Sequence, residues 1–419
     1  MGDALVVGVG MTRFAKHVDR STASLAHEAV AAALADAGVS AQEVEMVFFA
    51  NALSGIVTGQ ETIRGQVALA GSGLDGAPIV NVDNACAAGG TAVHLAQLAV
   101  SSGRCDLALA IGAEKLYHED PARPLRAMLT GVDVEQLPAL QAAFTRPDAG
   151  ARSFMLDLYA DVAIEYLSAT GATERSLAAV ASKDHHHGSL NPNAQHRKRF
   201  SVEEVLASRR VCGPFTVPMC SPFGDGASAV LVASSERAAR LAAAEPVEIL
   251  ASELTSGGLL DAGRPRLDAM LATGAVPRAA RRAYEAAGLG PADLDLVEVH
   301  DATSSAELII SEQLQLCASG EAAALAESGD TALGGRIPIN VSGGLVSKGH
   351  PVGATGCAQV TEIVTHLRGR AGERQVEGAR VGLAENAGGR LHPDDAAAVV
   401  TILRRREPRA TARVPTPVA

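Results

Sequence analysis

An internal repeat constrains this chain more than any other feature of its 419 residues. Residues 29–54 and 279–304 align without a gap at an offset of 250 residues. Each copy reads as an Ala-rich amphipathic helix, a glycine, a short polar link and an apolar strand. Glycine suits the end of such a helix because it adopts the left-handed conformation without steric cost. A period this long cannot be a solenoid, so it predicts two fused copies of one α/β unit.

Two further pairs of segments support the duplication. Residues 104–112 and 379–389 each read as a strand that leads into glycine, and a Gly-rich turn opening a helix precedes each of them. We therefore predict an N-terminal half over residues 1–116, completed by a returning strand within 228–246, and a C-terminal half over residues 247–404.

The segments outside the repeat have different expected roles. Residues 117–227 break the pattern, and we interpret them as an inserted cap or loop domain that covers a site between the two halves. The basic, proline-rich residues 405–419 are typical of a disordered tail. The predicted class is thus α/β, a duplicated unit with an inserted cap.

Composition excludes several classes of protein. A formal net charge of −11 argues against nucleic-acid binding, which needs a basic face. No apolar run is long enough to span a membrane, and the first ten residues lack the basic segment of a signal peptide. The six cysteines form no CxxC pair and suit a reducing cytoplasm better than a disulfide scaffold. Side chains of the consecutive His185, His186 and His187 diverge, so we expect no metal site there.

Cys86 is the strongest candidate nucleophile. It stands in NACAAGG, after an apolar strand and at the start of a buried helix. The positive end of the helix dipole favours a thiolate, so we expect the pKa of this thiol to be lowered. The alternative is that Cys86 is only a small buried apolar residue.

Two histidines are candidate partners. His350 lies in a Gly-rich loop, GHPVGATG, where backbone can approach a ligand closely. His300 ends an apolar strand, in VEVHDATSS, and carboxyl ends of strands are where α/β sheets bind ligands. Taken singly, each of them is also compatible with a structural role.

In this order, NACAAGG and GHPVGATG resemble the segments of the thiolase superfamily that carry its acylated cysteine and its catalytic histidine. The resemblance covers about residues 1–404 and implies the thiolase fold, a duplicated five-layered αβαβα structure with an inserted cap. HDAT, in place of the NEAF segment of degradative and biosynthetic thiolases, and GAEKL at 112–116 resemble the sterol-carrier-protein-type thiolases.

The resemblance assigns roles to five residues. Cys86 would receive an acyl group from an acyl-CoA, and His350 would act as its base. His300 and a water would form one oxyanion hole, and the backbone N–H groups of Cys86 and Gly388 would form the other. Asn340, in NVSGG, would support the site. Acyl-CoA would be a substrate, and no bound cofactor is implied.

The chain departs from the family where a second cysteine acts as acid and base. Asn386 stands at one usual position of that thiol and Ala302 at the other. Glu307, one helical turn beyond HDAT, is a conceivable replacement. Met155 lies in a segment similar to one that contacts pantetheine, and Phe154 stands where many thiolases have histidine.

The missing thiol leaves the second half-reaction open. The favoured hypothesis is a thiolase-like acyltransferase whose acceptor is an acyl-CoA carbanion or another small nucleophile. A decarboxylative condensing enzyme, as in ketoacyl synthases, would need only a cysteine and two histidines. A third hypothesis is a scaffold or aldolase-like subunit that works with a small OB-fold/zinc-ribbon partner. The family also implies a homodimer or a tetramer.

Overall fold

A computed structural model describes residues 3–146, 152–241, 245–258, 260–261 and 263–406. Most of the predicted tail, residues 407–419, lies outside this range. The strands are β1 (Ala4–Met11), β2 (Met46–Ala50), β3 (Ile79–Val82), β4 (Leu107–Glu114), β5 (Arg210–Cys212), β6 (Phe215–Thr216), β7 (Gly226–Ser234), β8 (Val247–Ser256), β9 (Leu296–Glu298), β10 (Val381–Leu391) and β11 (Asp394–Arg405).

The α-helices fill the intervals between the strands. They are α1 (Thr22–Ala37), α2 (Ser54–Thr58), α3 (Arg64–Leu69), α4 (Ala88–Ser101), α5 (Ala122–Met128), α6 (Leu137–Phe144), α7 (Met155–Thr170), α8 (Glu174–Leu190), α9 (Val202–Ala207), α10 (Ser235–Ala238), α11 (Arg266–Thr273), α12 (Ala275–Ala287), α13 (Ser304–Gln313), α14 (Ala322–Glu327) and α15 (Thr355–Leu367). None of these helices is long and apolar enough to cross a membrane.

Strand order shows the duplication directly. In the N-terminal half the order is β3-β2-β4-β7-β1, and in the C-terminal half it is β9-β10-β11-β8. The counterpart of β3 in the second half is reduced to one bridge beside β9, between Val297 and Ile339. β1 also pairs with β8, at Leu5–Glu248 and Val6–Val247, so that the two halves share one sheet.

Equivalent helices end in the same way. Gly38 closes α1 at φ 68° and Gly288 closes α12 at φ 64°, and each N–H bonds back to the last turn of its helix. Small residues also set the helix-to-sheet distance, because a Cβ on Gly8 would lie 2.4 Å from Ala33 O in α1. The Ala-rich face of α1 therefore packs directly on β1.

Alternating strand residues build the layers. One face of the N-terminal strands packs on α1, as Leu5 and Val7 do, and the other packs on the central helices α4 and α15. The C-terminal strands pack on the same central helices and, by their other face, on α12. This sequence of helices and strands is the predicted five-layered α/β arrangement.

Helices α5 to α9 and the β5–β6 hairpin make up the inserted region. Side chains of α7 and α8 pack together and against Leu308 and Ile309 of α13, in the C-terminal half. The insertion thus rests on the elements that follow β9. β7 begins at Gly226 and lies between β4 and β1, whereas the exact domain boundaries stay a prediction.

Candidate active site

Cys86 lies in a tight turn between β3 and α4. The preceding residue, Ala85, has φ 49°, a left-handed conformation that is uncommon for a residue with a side chain. A hydrogen bond of 3.0 Å from Ala87 N to Asn84 O closes the turn, and Asp83 Oδ1 accepts the Ala85 N–H at 3.0 Å. The turn holds the half-buried thiol at the beginning of the central helix.

His350 reaches this thiol from the other half of the molecule. Its Nε2 lies 3.4 Å from Cys86 Sγ, and its Nδ1 lies 2.7 Å from Thr355 Oγ1. The Thr355 hydroxyl gives its only hydrogen to Pro351 O, at 3.1 Å, so its oxygen accepts from Nδ1–H. This arrangement places the imidazole hydrogen on Nδ1 and leaves Nε2 free to accept the thiol proton.

His300 completes a group of three. It follows β9, its backbone N–H donates to Glu385 Oε2 at 2.9 Å, and its ring stands edge-on to the His350 ring with centroids 5.1 Å apart. One ligand atom each of Cys86, His300 and His350 lies within 4.8 Å of the others. His300 Nε2 is buried and has no hydrogen-bond partner among the described residues, so it is available to a substrate atom.

Burial keeps the three groups neutral. It raises the pKa of the Cys86 thiol to about 12, with the Glu114 charge adding to the effect. Burial, then His300 and Lys348, hold the pKa of His350 well below its usual value. Burial and then Arg390 lower the pKa of His300 to about 3. The sequence expectation of a lowered thiol pKa is therefore wrong, because desolvation outweighs the helix dipole.

An apolar cavity of about 250 Å³ opens onto the thiol. Its described lining residues come from the Cys86 turn, the His350 loop and the insertion: Cys86, Leu125, Met128, Arg152, Ser153, Met155, Leu156, Tyr159, Val211, Ser221, Pro222, Phe223, Ala302, His350 and Val352. Because Phe223 is also solvent-exposed, the cavity extends to the surface. A flexible acyl-bearing chain could therefore enter from solvent and reach the sulfur.

Two of the other predicted residues adjoin the backbone that carries Cys86 and His300. Asn340 Oδ1 accepts the Val299 N–H at 2.9 Å, which fixes the backbone just before His300. A Cβ on Gly388 would lie 2.6 Å from Cys86 N, so only glycine permits this close approach. The backbone N–H groups of Gly389 and of Cys86 itself both lower the pKa of the thiol.

Glu307, the suggested replacement for the second thiol, and Asn386, which stands at one usual position of that thiol, both lie outside the cavity. Glu307 forms a buried ion pair with Lys183 and accepts from Asn340 Nδ2 at 3.0 Å. Asn386 Oδ1 accepts the Gly90 N–H at 3.0 Å, between the central helices. Neither side chain lines the thiol cavity.

Met155 and Phe154, two of the predicted substrate contacts, have different surroundings. Met155 lines the cavity, as expected for a residue near the pantetheine arm. Phe154 instead packs with Val132 and Leu158 behind the cavity wall.

Comparison with known proteins identifies the family. The thiolase N-terminal domain model matches residues 4–206, and the model described as thiolase C-terminal domain-like matches residues 257–405. The chain belongs to the thiolase family. Bos taurus sterol carrier protein 2 is 38% identical over 91% of this chain and 69% of its own length. Methanothermobacter thermautotrophicus acetyl-CoA acetyltransferase is 38% identical over 93% of this chain and 97% of its own.

One further relative and two solved structures are also similar to this chain. Benzoylsuccinyl-CoA thiolase subunit BbsB of Thauera aromatica is 34% identical, over 92% of this chain and 94% of its own. Among solved structures, the Ltp2-ChsH2(DUF35) aldolase has a TM-score of 0.76 at 24% identity, covering 96% and 97% of the two chains. Human mitochondrial 3-ketoacyl-CoA thiolase has a TM-score of 0.68 at 18% identity, covering 97% and 99%. This thiolase is therefore an acyltransferase with the thiolase fold.

Sequence reasoning missed four residues of the thiolase site. Thr355 was within reach, since it lies in the His350 motif itself, five residues on. Gly389 adjoins the predicted Gly388. Glu385, which fixes the His300 backbone, and Tyr159, which lines the cavity, carry no motif that would have singled them out.

Cys86, His300 and His350 are also close enough together to bind one metal ion. Among the described residues, Cys86, His300 and His350 are the only set of such side chains close enough to share an ion. His185 and His187 point to different partners, Pro218 O at 3.1 Å and Asn340 O at 2.9 Å. The histidine run therefore does not form a shared ligand set.

Proposed function

We propose that this thiolase takes an acyl group from an acyl-CoA onto Cys86 and passes it to the α-carbon of a second acyl-CoA or to another small nucleophile. One observation carries the proposal: Cys86 Sγ lies 3.4 Å from an unprotonated His350 Nε2 whose opposite nitrogen is fixed by Thr355. This is the arrangement of an activated thiol nucleophile, with a base beside it and a third group that orients the base.

The first half-reaction follows from the neutral pair. Cys86 Sγ attacks the thioester carbon while His350 Nε2 takes the thiol proton, and CoA leaves as its thiolate. The backbone N–H groups of Cys86 and Gly388 would stabilise the oxyanion, and the neighbouring Gly389 N–H already lowers the pKa of the thiol. One such donor is worth about 3 kcal/mol at the transition state.

His300 suits the second half-reaction. One of its ring nitrogens lies within 4.8 Å of Cys86 and His350, and its Nε2 has no hydrogen-bond partner among the described residues. A neutral imidazole can offer one N–H to the thioester oxygen of an acceptor enolate. An acceptor bound there would place its α-carbon beside the acyl group on Cys86.

A decarboxylative condensation is the second candidate. Two neutral imidazoles flank the cysteine, and neither Asn386 nor Ala302 supplies a second thiol to remove an α-proton. Loss of CO₂ from a malonyl-type thioester would generate the carbanion without a base. Release of CO₂ from malonyl-CoA that disappears in His300→Ala and His350→Ala would favour this route.

A partner protein remains part of the proposal. A solved structure of similar fold is named with a DUF35 component, and one relative is named as a subunit. We propose that a small OB-fold/zinc-ribbon protein accompanies this thiolase, within a homodimer or tetramer in the cytoplasm. An aldolase-like or purely scaffolding role is disfavoured by the intact group of Cys86, His300 and His350.

Intact-mass spectrometry with a panel of acyl-CoAs tests the function. We expect one added acyl group on the wild type and on Cys357→Ala, a matched variant that removes a buried thiol outside the cavity. Cys86→Ala should remain unmodified. An adduct that persists in Cys86→Ala, or its absence with every acyl-CoA, would refute the proposal and favour the scaffold.

A further inference from the structure

The structure leaves the acid and base of the second half-reaction unassigned. The two usual positions of that thiol hold Asn386 and Ala302, and the sequence suggests Glu307 as its replacement. Asn386 bonds Gly90 N, Glu307 is paired with Lys183, and Ala302 lines the cavity with a methyl group only. A group that exchanges protons with an acceptor must instead come from another part of the cavity wall.

Tyr159 occupies a special place in that wall. It lines the 250 Å³ cavity with Cys86 and His350, and it also lines a second cavity of about 30 Å³ with His300, Arg390 and Asp395. No other described residue lines both cavities. The Tyr159 side chain therefore borders both the cavity that holds the thiol and the cavity that His300 lines.

The Tyr159 hydroxyl is free to bind a substrate. Among the described residues it has no hydrogen-bond partner, whereas the hydroxyls of Tyr166 and Tyr284 bond Glu312 Oε1 and Leu314 O. Helix α7 fixes the position of the ring, because Met155, one turn earlier on the same face, lines the same cavity. The phenol is thus a positioned donor that no described residue occupies.

The other polar groups of the cavity wall are poor acids and bases. Arg152 keeps its proton throughout the physiological range and is ion-paired with Asp157. Ser153 and Ser221 carry aliphatic hydroxyls, whose protons are far less acidic than that of a phenol, and Ser153 Oγ already accepts from Met155 N at 3.3 Å. Apart from Cys86 and His350, Tyr159 is the remaining lining group that can both donate and regain a proton.

Charges around the ring suit both protonation states. Burial raises the pKa of Tyr159 above its usual value, with Asp395 and the nearby Cys86 also raising it, so the resting form is the phenol. The Arg390 guanidinium lies 4.8 Å from the ring centroid and opposes that shift. A cation against the ring would stabilise a transient phenolate.

We propose that Tyr159 is the catalytic acid and base that serves in place of the second cysteine; this rests on the proposed function, with an acyl-CoA as acceptor. On loading, CoA departs as its thiolate without help from an acid, and Tyr159 then gives that thiolate a proton and becomes a phenolate. The phenolate removes an α-proton from the second acyl-CoA, whose carbanion attacks the acyl carbon on Cys86. The carbon–carbon bond forms, the carbon–sulfur bond to Cys86 breaks, and His350 returns its proton to the Cys86 thiolate.

A single hydroxyl deletion tests this assignment. Tyr159→Phe keeps the ring and its packing, and Tyr284→Phe is the matched control because that hydroxyl bonds a backbone carbonyl outside both cavities. Two quantities are measured on each protein: acetyl loading of Cys86 by intact mass, and deuterium uptake from heavy water at the α-carbon of acetyl-CoA. We expect Tyr159→Phe to load acetyl within about 3-fold of wild type but to lose about 100-fold or more of the α-carbon exchange rate.

The outcomes separate the two proposals. A wild-type protein that never loads an acyl group contradicts the proposed function itself. If the wild type loads, Tyr159 is excluded by an exchange rate in Tyr159→Phe that matches Tyr284→Phe. It is equally excluded if the wild type loads but never exchanges the α-hydrogen, or if Tyr159→Phe fails at loading.

Discussion

At the scale of single residues, the Cys86 proton governs reactivity. Burial raises the pKa of the thiol to about 12 and depresses that of His350, so neither group titrates near neutrality. A depressed imidazole pKa leaves His350 neutral above it, and a raised thiol pKa leaves Cys86 protonated below it. We therefore predict a thiol–imidazole pair, with a loading rate that changes little between about pH 6 and about pH 9.

Ultraviolet absorbance of the thiolate measures this directly. The difference between wild type and Cys86→Ser should be absent near pH 7 and should appear only above about pH 10. The subtraction removes the other five cysteines. A difference signal at neutral pH that is lost on acidification would instead reveal a thiolate–imidazolium pair and contradict the prediction.

The sequence predicted the candidate reacting residues, but it did not predict the environment around them. Motifs located Cys86, His300 and His350, because turns and strand ends have recognisable local patterns. They did not reveal the sign of the thiol pKa shift, which depends on burial by both halves. They also could not show that Glu307, the suggested second acid and base, is paired with Lys183, because that contact joins residues far apart in the chain.

At the scale of elements, the close approach of α4 and α15 aligns the site. A Cβ on Gly356, in α15, would lie 2.0 Å from Gly90 N in α4 and 2.3 Å from Asn386 Oδ1. These neighbours are backbone and a bonded side chain, so they cannot move aside cheaply. We predict that Gly356→Ala lowers the free energy of unfolding by about 3 kcal/mol and weakens acyl loading, since the helices adjoin the Cys86 turn and the His350 loop.

Urea denaturation and acyl loading check this prediction together. Gly290→Ala is the control, because its φ is −132° and no atom of the described residues, apart from its chain neighbours, lies closer to its Cβ than Asp293 Oδ2, at 3.9 Å. The control should unfold and load like wild type. A Gly356→Ala protein with an unchanged denaturation midpoint would show that the two helices can separate without loss.

Secondary structure was predictable for the elements that occur in both copies of the repeat. The glycine ends of α1 and α12 have the same conformation, as the repeat predicts. The counterpart of β3 was not predictable in this way: the second half keeps only the Val297–Ile339 bridge, because the chain there turns into the His350 loop. The insertion has no second copy, so nothing in the pattern indicated that Tyr159 faces the thiol.

At the scale of the whole molecule, the two duplicated halves and the insertion have different roles. The duplicated halves each supply candidate reacting groups, Cys86 from the first and His300 and His350 from the second. β1 and β8 join these halves through one sheet. The insertion supplies most of the apolar cavity wall, including Leu125, Met128 and Met155. Chemistry and acyl selectivity should therefore be separable by mutation.

Met155→Ala tests that division of the molecule. Removing this cavity-lining side chain enlarges the space beside the thiol without touching the catalytic group. We predict that the ratio of kcat/KM for longer over shorter acyl-CoAs rises about 10-fold, because one methylene in an apolar pocket is worth about 1–3 kcal/mol. Alkylation of Cys86 by iodoacetamide should change less than about 3-fold. Met219→Ala, a buried methionine of the insertion that does not line the cavity, should keep the wild-type ratio. An equal loss for all chain lengths would mean that the insertion acts on the chemistry itself.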